Sequence, residues 1–229
     1  MKRLIPFVEG YGDVRAVPIL LRRLFTHHAL WETIGLDPAA FKVGGLPGLC
    51  ANGSANWKRL LSAALKRPQT GGVILILDGD VRPATGGQFC PANAARALVD
   101  EARAVGAGER FSLAVVFACR EYESWLLAGV ESLAGRRMSD NRVGVRSGTV
   151  NFDKDLEVAP RDAKGELAKL MQFGYKETLD QAELTELVDL DIVRKRALRS
   201  FARLESALQQ LASAFRTGKH VATPSQQLK

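Results

Sequence analysis

The chain has 229 residues and a net charge of +7, with 46% hydrophobic, 25% charged and 7% aromatic residues. These proportions exclude a disordered or fibrous class and suit a globular α/β protein of one large domain, or a core with an appended helical part. No apolar run reaches the roughly 20 residues of a membrane span and no secretory signal follows Lys2-Arg3, so a cytoplasmic protein without a membrane partner is expected.

Residues 3–8 form the first predicted strand, an apolar run that stops at Glu9-Gly10-Tyr11-Gly12-Asp13. From Asp13 the apolar positions Val14, Val17, Leu20, Leu21 and Leu24 recur at threes and fours, predicting a helix to about residue 28 that Pro18 delays or kinks. Residues 37–43 predict a short strand closed by Gly44-Gly45 and Pro47-Gly48, and Ser54 suits the N-cap of a helix over 55–66. A turn over 68–72 then feeds Val73-Ile74-Leu75-Ile76-Leu77-Asp78-Gly79-Asp80. Five branched apolar residues without alternation suit a strand buried on both faces, and here two carboxylates end it.

After Asp80, residues 82–87 predict a loop over the strand end, and Pro91 starts an alanine-rich helix ending near residue 106. Residues 111–118 predict a fourth strand, which also stops at charge, Arg120-Glu121-Tyr122-Glu123. A polar, basic loop over 136–146 precedes helical texture at 162–173. A long helical region over 181–215 follows, with Phe201, Leu204, Leu208, Leu211 and Phe215 on one face. The tail beyond Gly218 is expected to be disordered. The predicted organisation is a core over 1–130, a helical extension over 131–216 packed on it, and a tail over 217–229.

Alternating strands and helices predict βαβ units and a mainly parallel sheet, and such sheets bind ligands at the carboxyl edge of their strands. Glu9 and the Asp78/Asp80 pair then share one rim. Acids crowded together repel, and a cation is the usual compensation. A basic chain with a locally acidic site suits a metal-assisted enzyme acting on phosphodiesters, the basic surface holding the backbone and the acids the ion. Cys50, Cys90 and Cys119 are isolated, and His27 and His28 lack a third ligand, so neither a disulfide framework nor a zinc site is indicated.

The set Glu9-Gly10-x-x-Asp13, Asp78-x-Asp80 and a late acid resembles the Toprim fold of type IA topoisomerases, DnaG-type primases and OLD-type nucleases. Four stretches over nearly the whole chain resemble the DUF4276 family of bacterial Toprim-like proteins. These are Val8-Glu9-Gly10, Leu77-Asp78-Gly79-Asp80, the run from Arg120 to Ala128, and Tyr175-Lys176-Glu177-Thr178-Leu179-Asp180-Gln181 with Ser200-Phe201-Ala202-Arg203-Leu204. The resemblance implies a three-layer α/β/α core with a C-terminal helical extension. It also implies Mg²⁺ or Mn²⁺ held by Asp78 and Asp80 with Glu9 or a late glutamate, Asp13, Glu121 and Glu123 being further candidate ligands. Glu9 would serve as general acid or base. Gly10, Gly12 and Gly79 would admit a phosphate to the backbone, with Arg82 and Lys176 as further substrate contacts.

Each feature also has a plainer reading. Asp-Gly is a common turn, Asp13 suits a helix N-cap, Trp125 with Leu126-Leu127 suits core packing, and arginine runs usually face solvent. The leading functional expectation is a metal-dependent nuclease or related phosphotransfer enzyme on DNA or RNA, in phage defence or genome maintenance. With no P-loop in the chain, any ATP-driven step needs a partner ATPase. Two alternatives remain: a haloacid-dehalogenase-like phosphatase, whose nucleophile strand also ends in Asp-x-Asp, and a non-catalytic nucleic-acid or protein-binding module.

Overall fold

The computed structural model describes residues 1–81, 88–159 and 161–225. Its sheet has the order β2-β1-β4-β5-β6, with β3 also on β1, and every pairing is parallel. The strands are β1 (Arg3–Val8), β2 (Gly35–Leu36), β3 (Phe41–Lys42), β4 (Thr70–Asp78), β5 (Ser112–Ala118) and β6 (Ala222–Thr223). β4 lies between β1 and β5, in register Val8↔Ile76 and Asp78↔Ala118.

The two sides of β4 explain its unbroken apolar run. Ile74 and Ile76 join a core with α1 (Tyr11–His27), α4 (Glu123–Ala128) and α8 (Arg199–Thr217). Val73, Leu75 and Leu77 face α2 (Leu46–Leu65) and α3 (Pro91–Arg103). Neither face meets water, so neither carries polar residues. The result is a three-layer α/β/α arrangement in which α8 packs directly on β5, so residues 131–216 complete one layer of the core.

Several elements differ from the sequence expectations. Of the strand expected over 37–43 only β3 forms, with β2 just ahead of the span, because Asp37 turns the chain between them, accepting from the Ala39 N–H at 3.0 Å and pairing with Arg67 at 2.9 Å. α1 runs through Pro18 without ending there. Ser54 is no simple N-cap: it belongs to a left-handed kink, Asn52 to Ser54, inside α2. The helix expected over 181–215 is three helices, α6 (Glu177–Leu187), α7 (Leu190–Lys195) and α8. Asp189 starts α7 by accepting the Asp191 and Ile192 N–H groups, and Ala197, at φ +53°, turns the chain into α8. The tail, expected to lack order, contributes β6 on the outer edge of β5.

Candidate functional site

Three parallel strands bring their carboxyl ends to one rim. Glu9 follows β1, half-buried, and its Oε2 accepts the backbone N–H of Asp78 at 3.2 Å. Asp78 closes β4 with its side chain 14% exposed, and its Oδ1 accepts the Tyr122 N–H at 2.9 Å, joining β4 to the segment that follows β5. Parallel register brings these residues together from sequence positions more than a hundred apart. Glu9 and the Asp78/Asp80 segment therefore adjoin, as expected, although Asp80 points outward and is exposed.

The late acids lie deeper. Glu121 is buried and accepts the Lys164 backbone N–H at 3.0 Å. Glu123, fully buried in the first turn of α4, accepts from the Tyr175 hydroxyl at 2.6 Å and from Gln181 Nε2 at 3.4 Å through Oε1, while its Oε2 has no partner. Asp13 both caps and faces the cluster: Oδ2 accepts the Gly10 N–H at 2.8 Å and Oδ1 accepts from Gln181 Nε2 at 2.9 Å.

Among the described residues, one cation projects into this acidic ring. Lys164 lies in the first turn of α5 (Ala163–Leu170), its Nζ 3.6 Å from Asp78 Oδ2 and 3.2 Å from Glu177 Oε2. Burial works against its charge, yet Glu123, Asp78 and Glu177 hold the ammonium protonated well above its usual range. The carboxyls too are raised, toward their neutral form. Burial raises Glu9, Asp13 and Glu121, and raises Asp78 further, with Glu123, Asp13 and Glu9 adding repulsion that Lys164 opposes. Glu123 is raised to about 7, chiefly by burial. Carboxyls poised to exchange protons near neutrality are the kind general acid–base chemistry uses.

The donors suit a hard divalent cation in kind, being oxygens with one buried carboxylate oxygen orphaned among them. Among the described residues, however, no three His, Cys, Asp or Glu side chains converge on a common point for an ion. The position between Asp78 and Glu177 belongs to the Lys164 ammonium.

Other expected contacts fall differently. A Cβ on Gly10 would lie 2.7 Å from Glu177 Oε1, and one on Gly12 would collide with Gln181 Oε1 and Glu177 Cγ. These glycines let α6 pack against the start of α1; they do not open a path for phosphate. Gly79 is likewise filled from behind, its N–H bonded to the Ala118 and Arg120 carbonyls and its Cβ position 2.8 Å from the former. Lys176, at the N-cap of α6, is exposed and bonded through its backbone, its N–H donating to Asp180 Oδ2 at 2.6 Å and its carbonyl accepting the Leu179 and Asp180 N–H groups. The group from that stretch that reaches the site is Glu177, with Gln181 one turn on. Arg82 lies outside the described residues. Of the residues that complete the ring, Lys164, Tyr175, Glu177 and Gln181 carry no strand-end signal of their own.

No curated protein and no solved structure shows significant similarity to the chain. A family model, described as a domain of unknown function (DUF4276), matches residues 8–209, from the last residue of β1 to the middle of α8. That span holds every acid of the ring and the lysine within it, and on this match the chain belongs to the DUF4276 family.

Proposed function

We propose that the chain is a Toprim-type phosphodiesterase that cuts nucleic acid with the help of Mg²⁺ or Mn²⁺. The observation that carries this reading is the linked set at the sheet rim. Glu9 is bonded to Asp78, Asp78 to the Tyr122 backbone, and a fully buried Glu123 adds an oxygen with no partner. Leaving a buried carboxylate oxygen unsatisfied costs about 1–3 kcal/mol or more, which a ligand cation would offset.

In this reading Asp78 and Glu123 would hold the ion together with water, with Asp80 at the exposed rim. Such an ion neutralises charge on the phosphoryl oxygens and acidifies water. Glu9, half-buried and with its carboxyl raised by burial, is suited to take a proton from the attacking water or return one to the leaving oxygen. Tyr175 and Gln181 hold Glu123 Oε1, and so fix the direction of the free Oε2. A phosphatase using Asp78 as nucleophile is less well supported. It leaves Glu9, whose carboxylate is bonded to the Asp78 backbone at the same rim, without a role.

The test is strand breakage of plasmid DNA and of RNA in Mg²⁺, Mn²⁺ or EDTA, repeated with Asp78→Asn. Breakage that needs metal and disappears in the variant supports the reading. A protein that cuts neither polymer in any metal, and whose role in cells survives Asp78→Asn, is a binding module instead. A requirement for ATP would call for a partner ATPase, because the chain has no P-loop.

A further inference from the structure

A second feature lies beside the acidic ring, on the side of β5 away from β4. Three hollows meet at Glu157 and Arg199. One, of about 500 Å³, opens at Gly79 and Asp80 and runs past Phe89, Arg120 and Arg161. The next, of about 570 Å³, continues between Lys154 and the turn carrying Lys195 and Arg196. The third, of about 350 Å³, is an apolar slot walled by Ala95, Val115, Phe117 and Pro224.

The charges here lean positive: the acids along the first two hollows are Asp80, Asp155 and Glu157, against six arginines and lysines. Among the described residues, Arg120, Lys154, Arg161, Lys195 and Arg196 form no ion pair. Glu157, the acid at the junction, is already engaged by Arg199 Nε at 3.0 Å and the Ser200 N–H at 2.6 Å. Cations left without acidic partners along a groove are the footprint of a polyanion. Arg194, in the same region, is paired, with Asp191 and Glu205.

The apolar features narrow the polymer. Phe89 is half-buried at the end nearest Asp80, edge-on to Phe117 with ring centres 5.6 Å apart. β6 pairs with β5 only at Leu113 and Ala114, so the slot over Val115 and Phe117 stays uncovered by a strand. A half-buried ring beside an apolar slot suits the face of an unstacked base, which a duplex keeps stacked on its neighbours.

We propose that this groove binds single-stranded nucleic acid, with phosphates on Lys195, Arg196, Arg161 and Arg120 and a base against Phe89, and delivers the strand to Asp80. This deepens the phosphodiesterase reading and rests on it for the direction of travel only. The groove is tested without catalysis, by fluorescence anisotropy of a labelled single-stranded oligonucleotide in EDTA, with the matching duplex as comparison. Expected are tighter binding of the single strand and a loss of about ten-fold or more in Lys195→Glu/Arg196→Glu, with a shallower salt dependence. Phe89→Ala should weaken single-strand binding by about 5- to 100-fold while leaving the salt slope unchanged, in protein whose thermal unfolding shows it to be folded. Asp78→Asn should bind as the wild type does. Equal binding of single strand and duplex overturns the proposal, as does indifference to both variants or capture of an extended peptide in place of the oligonucleotide. Binding as described without metal-dependent cleavage would sink the enzyme and leave the groove standing. Cleavage unaffected by the charge reversals would do the opposite.

Discussion

Replacing Lys164 by Met keeps most of the stem packing and removes the one cation that Asp78, Glu123 and Glu177 share. Breaking a buried ion pair costs about 3–5 kcal/mol, because the partner charge is left uncompensated. The Lys164 side chain is 36% exposed, so water recovers part of that. A loss of about 2–3 kcal/mol at neutral pH in EDTA follows, or a Tm lower by about 4–12 °C for a chain of this size. The loss should shrink toward pH 5, where Glu123 and its neighbours take up protons in place of the ammonium. Mg²⁺ should then act differently on the two proteins. In the wild type an entering ion must displace the ammonium, whereas in Lys164→Met it meets bare carboxylates, and at about a hundred times its Kd it returns about 2.7 kcal/mol. Thermal unfolding of both proteins in EDTA and across a Mg²⁺ titration measures this. Equal stability in EDTA, or the same Mg²⁺ increment in both, would refute the idea that Lys164 and the metal compete for one position.

Three further outcomes follow from the same geometry. Glu123 binds its proton more tightly folded than unfolded, so unfolding releases that proton between its ordinary value of 4.5 and about 7. Stability must therefore fall as pH rises through this window, by on the order of 3 kcal/mol from this group, and level off above it. Glu123→Gln should flatten that fall in urea unfolding; an unchanged slope would show that Glu123 is not the titrating group. Gly12→Ala places a methyl on Gln181 and Glu177, and should cost about 1–3 kcal/mol by overpacking, measured by the same unfolding. Trp125, packed on Tyr122 and Phe201 with its Nε1 donating to Ser200 Oγ at 3.1 Å, should cost about 3–5 kcal/mol when cut to Ala. That variant's Mg²⁺-dependent rise in Tm should stay as in the wild type.

What the amino-acid order conveys about this site has a physical limit. β1, β4 and β5 are legible because strands buried on both faces must be apolar throughout, and each run ends abruptly at Glu9, Asp78 or the Glu121–Glu123 segment. Parallel pairing then leaves those acids no choice but a common rim. The helical side of the site follows a different rule. Periodicity in α6 says which residues share a face but not what that face meets, and its docking is decided by α1, whose Gly10 and Gly12 leave room for Glu177 and Gln181. Those two residues are four apart and so stand on one side of the helix, whereas Lys176 is the cap residue and points to solvent. Spacing within the Tyr175–Gln181 stretch favours Glu177 over Lys176 only when the helix starts at Glu177, whereas the sequence pattern places the helical region from 181.

Lys164 is the harder case. It reaches the acids only because Asp162 caps α5 at the point where Glu121 accepts the Lys164 N–H. The sequence marks Asp162 only as the start of helical texture; its position beside Glu121 depends on the packing of α4 against α5. A buried ring of carboxylates without an ion cannot hold its full charge, and this chain meets the constraint with protons on its deepest acids and a lysine from a distant helix. An acidic cluster read from strand ends alone is therefore incomplete until its compensating charge is found, and in this fold that charge comes from the segment that has no strand.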